Sequence, residues 1–588
     1  MTAPQIAHPS VGARFLAQCA QAPAAPAFRT PTADGQWETL TWSDTARRAR
    51  ELAAGLLALG ITAEQRIAIA SSTRVEWVLA DLAITLAGAA TTTVYPSTNA
   101  DDVEYILTDC GATVVFVEND EQLSKLRSGG RLIGTVRHVV MFDGDRADIG
   151  VLSMQKLSDI GRSYLRNTPG AVDDALAALT QDHLATIVYT SGTTGRPKGV
   201  ELTHRNWLYL GAAVASEGVI RPDHLQFLWL PLSHVFGKLL LAAQYEIGFI
   251  TAIDGRIDRI VDNLAIVQPS FMAAAPRIFE KIYSRVVTTA TADGGIKKTL
   301  FSWAFEIGID AVRTKAAGQP VPLWRAAQLA VADRLVFARI RARLGGNIEY
   351  LVSGSAALSP QIAEWFAAAG LPILEGYGLT ETTGASFVNR PSDIRIGTVG
   401  RAFPGTEIKI ADDGEILLRS PGIMRGYHGL PQQTAEVLDS GEWFATGDIG
   451  ELDTDGFLRI TDRKKDLVKT SGGKYIAPTA IESAVKAACP IVSHAIVIAD
   501  GRNFASILLT IDPDTTAGIT ETEVSDLVRR AIDKVNSGLN RWETIKQHRI
   551  LPRELSIEAG ELTPSLKIKR AVVAKNYADL IESIYSSK

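Results

Sequence analysis

LATIVYTSGTTGRPKGV, residues 184–200, changes character in its middle. The first seven residues are apolar and β-rich, the composition of a buried strand. The ten that follow are rich in glycine and hydroxyl side chains. Gly192, Gly195 and Gly199 permit close backbone approach, Thr190, Ser191, Thr193 and Thr194 offer hydroxyl donors, and Lys198 adds a positive charge. Successive backbone N–H groups and hydroxyls of this kind form a nest for phosphate oxygens. The spacing is not the Walker pattern, because no Gly-Lys-Ser/Thr closes the loop. A helical pattern then begins near Arg205.

Around this loop, from about Phe28 to Thr289, short β-branched runs alternate with amphipathic helical patterns. Strand-like RIAIA at 66–70, helical VEWVLADLAITLAG at 75–88 and strand-like VVFV at 114–117 are examples. The alternation predicts parallel sheets with crossover helices. After Gly397 the pattern turns to short strands. EIKIADDGEILLRS at 407–420 and ELDTDGFLRITD at 451–462 each set Asp-Gly between alternating segments, a hairpin signal. Beyond Arg463 come an amphipathic helix near 478–488, strands AIVIA and ASILLTI, and two helical stretches. This predicts a small α+β domain of about 125 residues.

Residues 285–343 stand apart. They are helical, rich in Arg, Trp and Phe, broken at Gly-Gln-Pro-Val-Pro, and carry ten basic against four acidic side chains. Such a segment fits a packed helical hairpin with a solvated Arg face, or peripheral association with an anionic membrane.

At 588 residues the chain has room for three or four units of roughly 150 residues each. With 46% apolar and 21% charged residues, a large core is available and bulk disorder is excluded. A net charge of −5 gives no basic signature for nucleic acid. Cys19, Cys110 and Cys489 are far apart, fit no metal-ligand spacing and point to reduced thiols. MTAPQIAHPS lacks the basic and apolar regions of a signal peptide, and apolar stretches such as 79–94 are interrupted by Asp, Thr and Gly. A soluble, cytoplasmic α/β protein without a transmembrane helix is expected.

YTSGTTGRPKGVELTHRN at 189–206 resembles the phosphate loop of the adenylate-forming superfamily, which includes acyl-CoA synthetases, luciferases and peptide-synthetase adenylation domains. Other segments match in order. EGYGLTETTG at 375–384 resembles the family's adenine and Mg²⁺ segment. The resemblance implies that Tyr377 and Gly378 line one adenine face, with Thr380 beside Glu381 as the Mg²⁺ ligand. VSGSAAL at 352–358 is similar to the turn covering the other face, through Gly354, Ser355 and Ala356. In WFATGDIGELDTDGFLRITDRKKD at 443–466, the resemblance puts Asp448 on the ribose hydroxyls and Arg463 on ribose or phosphates. Many relatives have Gly-Arg where this chain has Asp462-Arg463.

The same resemblance makes Lys465 a hinge between a large AMP-binding domain, 1–463, and a small mobile domain, 464–588. The large domain would hold a helical insert at about 285–345 and a β-rich subdomain at about 397–463. KTSGGKYIAP at 469–478 resembles a loop that swings towards a pantetheine channel, where Gly472 and Gly473 would let a thin thiol arm pass. ELTPSLKIKR at 561–570 is similar to the C-terminal catalytic-lysine pattern, with Leu566 where many members have Gly. It singles out Lys567, with Lys569 the runner-up. LWLPLSHVFGKLL at 228–240 resembles the acid tunnel and its gate, with His234 near the carboxylate. PSFMAAAPRIFEKIYSRV at 269–286 is similar to the long-chain fatty acyl-CoA synthetases.

The implied activity uses ATP, Mg²⁺, a fatty acid and coenzyme A. Acyl-AMP forms with release of pyrophosphate, and acyl-CoA follows. Two other readings are a fatty acyl-AMP ligase serving a carrier protein and a non-catalytic nucleotide-binding protein. The first is expected to carry an obstructing segment, absent between Gly397 and Arg463, and the second to have lost its charged site residues.

Overall fold

Leu184–Thr190 is a strand buried over its first six residues, as its unbroken apolar character predicts. The computed structural model describes residues 2–586 except 129–130, 147, 191–195, 293–294, 517 and 564–565. Counted over these residues, the strand lies in an eight-stranded sheet ordered Gly426–Tyr427, Lys198–Thr203, Leu184–Thr190, Ala90–Val94, Arg66–Ala70, Val114–Val117, His138–Met141 and Val151–Ser153. From Leu184–Thr190 onward the strands are parallel.

Lys198–Thr203 runs antiparallel to Leu184–Thr190 and precedes the helix His204–Ser216. Sequence periodicity alone passes from loop to helix without this strand. Its alternation, with Val200 and Leu202 buried and Glu201 between them half-buried, is too short to stand out beside the loop.

A second sheet, nine-stranded over the described residues, has a parallel centre. In spatial order it is Ile373–Tyr377, Tyr350–Ser353, Phe271–Ala274, Leu225–Leu228, Ile250–Ile253 and Pro26–Pro31, with antiparallel strands at both edges. The helix Val75–Leu86 is buried on nearly every face and shares one hydrophobic core with residues of both sheets. That explains why VEWVLADLAITL is almost wholly apolar: a helix enclosed by protein has no polar face.

Gly295–Ala316 packs on Pro360–Ala368, where Phe305 stacks on Trp365 with ring centroids 4.5 Å apart. The following helix Leu323–Ala332 and the turns after it leave Trp324, Val331 and Leu335 exposed. Both Asp-Gly hairpins form and join in a four-stranded antiparallel sheet, Glu407–Ile410, Glu415–Arg419, Phe444–Leu452 and Leu458–Arg463.

The C-terminal sheet consists of Val492–Ile498, Ala505–Ile511 and Ile545–Ile550. Its alternating residues feed two cores. Val497, Ile507 and Leu509 meet the helices Pro478–Ala488 and Glu521–Asn536, while Ile496 and Leu508 meet Arg570–Asn576 and Ala578–Ser586. The strand Ile545–Ile550 is absent from the sequence expectation. IKQHRI is mostly polar because it is an edge strand with solvated residues, so it lacks an apolar signature. No helix among the described residues is long and apolar enough to cross a membrane.

Candidate active site

A cleft of about 2420 Å³ opens at the carboxyl ends of the parallel strands and is closed on one side by the C-terminal unit. Open α/β sheets characteristically bind ligands at that end, because the loops leaving the strands converge there. Gly354, Ser355 and Ala356 follow Tyr350–Ser353; Tyr377, Gly378, Thr380 and Glu381 follow or end Ile373–Tyr377; all line the cleft. Gly378 has no room for a side chain, since an added Cβ would lie 2.6 Å from the Gly384 carbonyl oxygen. Ser191, Gly192, Thr193, Thr194 and Gly195 lie outside the described residues. Thr190 and Lys198, which flank them, both line the cleft.

Asp448 and Arg463 are directly opposite each other on the hairpin Phe444–Leu452/Leu458–Arg463. Arg463 Nε is 3.2 Å from Asp448 Oδ1, and the Tyr377 hydroxyl donates to Asp448 Oδ2 at 2.7 Å. Burial raises the Asp448 carboxyl above its usual range, while Arg463, Tyr377 and Lys567 pull it down. Burial also pushes the Tyr377 phenol far up, so it stays a hydrogen-bond donor. A carboxylate held by two donors and facing a cleft is suited to accept ligand hydroxyls.

Glu381 is half-buried, and its Oε1 accepts from the Tyr427 hydroxyl at 2.8 Å. Lys198 Nζ lies over the same Tyr427 ring, 4.9 Å from its centroid. Among the described residues no three His, Cys, Asp or Glu side chains converge as a metal cage. Mg²⁺ is commonly held by one or two carboxylates together with substrate phosphates, and Glu381, which lines the cleft as Lys198 and Lys567 do, fits that arrangement.

Lys567, on the loop before Arg570–Asn576, lines the cleft with its side chain exposed to solvent there. Desolvation there, then Arg463, lowers its pKa to about 8, against the pull of Asp448 and Glu381. Its backbone is pinned both ways to Thr563: Lys567 N–H donates to Thr563 Oγ1 at 3.0 Å, and Thr563 N–H to the Lys567 carbonyl at 2.8 Å. Leu566 has φ of 62°, in the left-handed region that favours glycine. Lys569 also lines the cleft, but its backbone caps the Arg570–Asn576 helix.

His234 caps the helix Val235–Ile247, with Nδ1 accepting from the Phe236 N–H at 3.1 Å. Burial, then Lys567, lowers its pKa to about 3. The imidazole is therefore neutral, with its proton on Nε2. Glu375, missed in the sequence, is buried on the cleft wall. Burial raises its carboxyl to about 7, although backbone N–H groups of Leu358 and Gly397 bond it.

Lys465 lies in an exposed turn after Leu458–Arg463. Gly472 and Gly473 form the exposed turn between Val468–Lys469 and Tyr475–Ile476, and they do not line the cleft. The structure therefore gathers Lys567 with the nucleotide-motif residues and leaves the Gly-Gly turn outside. Contacts across the cleft hold this arrangement. Glu280 pairs with Lys486 Nζ at 2.7 Å, Arg277 bonds His494, and Asp462 accepts from the Thr479 hydroxyl at 3.1 Å. Asp462 thus has a structural partner in the C-terminal unit.

The profile of the AMP-binding enzyme family matches residues 15–428, and that of the AMP-binding enzyme C-terminal domain matches residues 465–588. The long-chain-fatty-acid–CoA ligase FadD15 of Mycobacterium tuberculosis is 36% identical, covering 94% of this chain and 94% of its own. The long-chain-fatty-acid–CoA ligase ACSBG1 of Mus musculus is 31% identical, covering 94% of this chain and 82% of its own. Among solved structures, the anthranilate CoA ligase AuaEII in complex with anthranoyl-AMP superposes with a TM-score of 0.75 at 21% identity over 98% of each chain. A Mycobacterium tuberculosis fatty acyl CoA synthetase gives a TM-score of 0.63 at 21% identity, over 97% of this chain and 99% of its own. At such identities the superpositions speak to the fold.

Proposed function

The chain belongs to the AMP-binding enzyme family, and from that membership we propose that it is an ATP-dependent, AMP-forming fatty acid–CoA ligase acting on long-chain acids. The observation that carries the reading is a single cleft ringed by Lys198, Glu381, Asp448, Arg463 and Lys567, in a chain whose near full-length relatives are named long-chain-fatty-acid–CoA ligases.

A carboxylate is a poor acyl donor because oxide would have to leave. Its oxygen attacks the α-phosphorus of ATP, the P–O bond to the β-phosphate breaks, and pyrophosphate departs. Negative charge builds on the α-phosphate, and the site must meet it with fixed positive groups. Lys567 bridges the α-phosphate and the attacking oxygen. Thr190, Lys198 and the 191–195 loop hold the outer phosphates. Glu381 would hold Mg²⁺, which would supply charge neutralisation for the leaving pyrophosphate. Asp448 accepts the ribose hydroxyls with Arg463 beside it, and Gly354–Ala356 and Tyr377–Gly378 enclose the adenine. The neutral His234 donates Nε2–H towards the acid. In the second step the thiol sulfur of coenzyme A attacks the acyl carbonyl and AMP leaves. This requires the exposed Gly472–Gly473 turn to replace Lys567, by rotation about Lys465.

Incubating the chain with ATP, Mg²⁺ and acids of increasing length should release pyrophosphate, in step with acyl-CoA when coenzyme A is present. No pyrophosphate with any acid would reject the reading. Acyl transfer only to a pantetheinylated carrier protein would replace it with an acyl-AMP ligase.

Peripheral membrane association belongs to the same proposal. Trp324, Val331 and Leu335 are 61%, 50% and 38% exposed along one stripe, with Arg334, Arg339 and Arg343 also exposed nearby. Each basic residue near an anionic surface contributes about 1 kcal/mol. Replacing these three arginines with glutamine should weaken sedimentation with phosphatidylserine vesicles and leave pyrophosphate release from a short, soluble acid unchanged. Undiminished vesicle binding would assign the stripe to packing alone.

A further inference from the structure

One side chain lies between the two oppositely charged groups that flank the phosphate end of the cleft. Tyr427 donates its hydroxyl to Glu381 Oε1 at 2.8 Å and presents its ring face to Lys198 Nζ at 4.9 Å.

The backbone around Tyr427 is tied to both partners. Its strand pairs Val200 with Tyr427, and His428 N–H donates to the Gly199 carbonyl at 2.7 Å. Met424 N–H donates to the carbonyl of Glu381 itself at 2.8 Å. Glu201 clamps the segment from the other side, taking His428 Nδ1 at 2.6 Å and Arg425 Nε at 2.7 Å. Tyr427 N–H is held by Thr434 Oγ1 at 2.9 Å. A ring fixed this firmly sets the spacing of the groups it touches.

We propose that Tyr427 is a positioning residue for adenylation. Its hydroxyl occupies one oxygen of Glu381 and aims the other at the divalent ion, and its ring keeps Lys198 from pairing with Glu381 before nucleotide binds. Without the spacer, a flexible lysine beside a carboxylate forms an ion pair, and both charges are then spent on each other instead of on phosphate and metal. Groups that orient a metal ligand in this way typically contribute 10–100-fold in metal affinity or activity. The inference rests on the adenylating function proposed above and adds to it a residue that no nucleotide motif contains.

The test compares full-length wild type, Tyr427→Phe and Tyr427→Leu. Phenylalanine removes only the hydroxyl, whereas leucine also removes the ring face. Mn²⁺ affinity is measured by electron paramagnetic resonance in the presence of a non-hydrolysable α,β-methylene ATP analogue, a readout independent of turnover. Mg²⁺ dependence of pyrophosphate release and thioester formation from supplied acyl-AMP are measured alongside. Tyr427→Phe should weaken Mn²⁺ binding roughly 10–100-fold and raise the Mg²⁺ needed for half-maximal pyrophosphate release by a similar factor. Excess Mg²⁺ should restore most of its rate, with thermal unfolding and thioester formation unchanged. Tyr427→Leu should show a larger deficit that excess Mg²⁺ does not restore. An unshifted Mn²⁺ affinity and Mg²⁺ curve in Tyr427→Phe, with an active wild type, overturn the inference alone. A wild type that binds no Mn²⁺–nucleotide and releases no pyrophosphate overturns the adenylating function, and the inference with it.

Discussion

Lys567→Ala should slow acyl-adenylate formation by roughly two to three orders of magnitude, the usual loss when one preorganised donor to a developing anion is removed. The ammonium lies in the cleft with Arg463, Asp448 and Glu381 as its charged neighbours. Lys569→Ala serves as the control: it removes a neighbouring lysine whose backbone caps the next helix, and its effect should be several-fold at most. Thioester formation from supplied acyl-AMP should survive in Lys567→Ala, because the proposed second step relies on the Gly472–Gly473 turn instead of Lys567. Equal loss of both steps would sink the division of labour.

The lysine also predicts a pH signature. Partial desolvation by the cleft walls, then Arg463, lowers its pKa to about 8 in the free protein. The charged form is the useful one, so kcat/KM for pyrophosphate release, which reports the free enzyme, should fall as pH rises past about 8. Bound ATP brings negative charge beside the ammonium and raises its pKa, so kcat should hold to higher pH. A kcat/KM profile that stays flat through pH 9 would remove Lys567 from the free-enzyme titration.

Which features were legible in the sequence follows from how each is encoded. The parallel sheets are written in local composition, because strands such as Leu184–Thr190 and Val114–Val117 are buried on both faces and carry unbroken apolar runs. Asp448 and Arg463 were legible through the family resemblance of their segment, and the hairpin sets the two directly opposite each other. Lys198–Thr203 and Ile545–Ile550 were not. The first is six residues beside a more conspicuous loop, and the second is a polar edge. Tyr427 was hidden for a different reason. It meets Glu381 across 46 positions of chain, and MRGYHG in isolation reads only as an aromatic residue near a turn. The same holds for Glu280–Lys486 and Arg277–His494, whose partners are more than 200 residues apart. Contacts between elements that are distant in sequence need the tertiary fold before they can be seen, and these set how firmly Lys567 is held in the cleft.

The largest effect on stability is expected at Lys238, one turn along the helix that His234 caps. Lys238 Nζ lies 2.5 Å from Asp81 Oδ1, with both side chains buried, and Thr91 donates to the same carboxylate oxygen at 2.7 Å. The rings of Trp77 and Trp207 each stand 5.5 Å from the ammonium. The pair joins the enclosed helix Val75–Leu86 to the helix Val235–Ile247, and so ties His234 to the core between the two large sheets. Removing one partner leaves the other as an uncompensated buried charge, which typically costs about 3–5 kcal/mol, whereas replacing both with apolar groups of similar volume is often near neutral. Lys238→Met should therefore lower the denaturant midpoint of the N-terminal region by an amount equivalent to about 3–5 kcal/mol. Lys238→Met combined with Asp81→Leu should recover most of that loss. The single variant should also raise KM for the acid more than KM for ATP, because the loosened helix carries His234 and none of the nucleotide motifs. A shift of under about 1 kcal/mol in Lys238→Met would mean that the ammonium or the carboxylate finds water on relaxation, and the pair would then not be what holds the two helices in register.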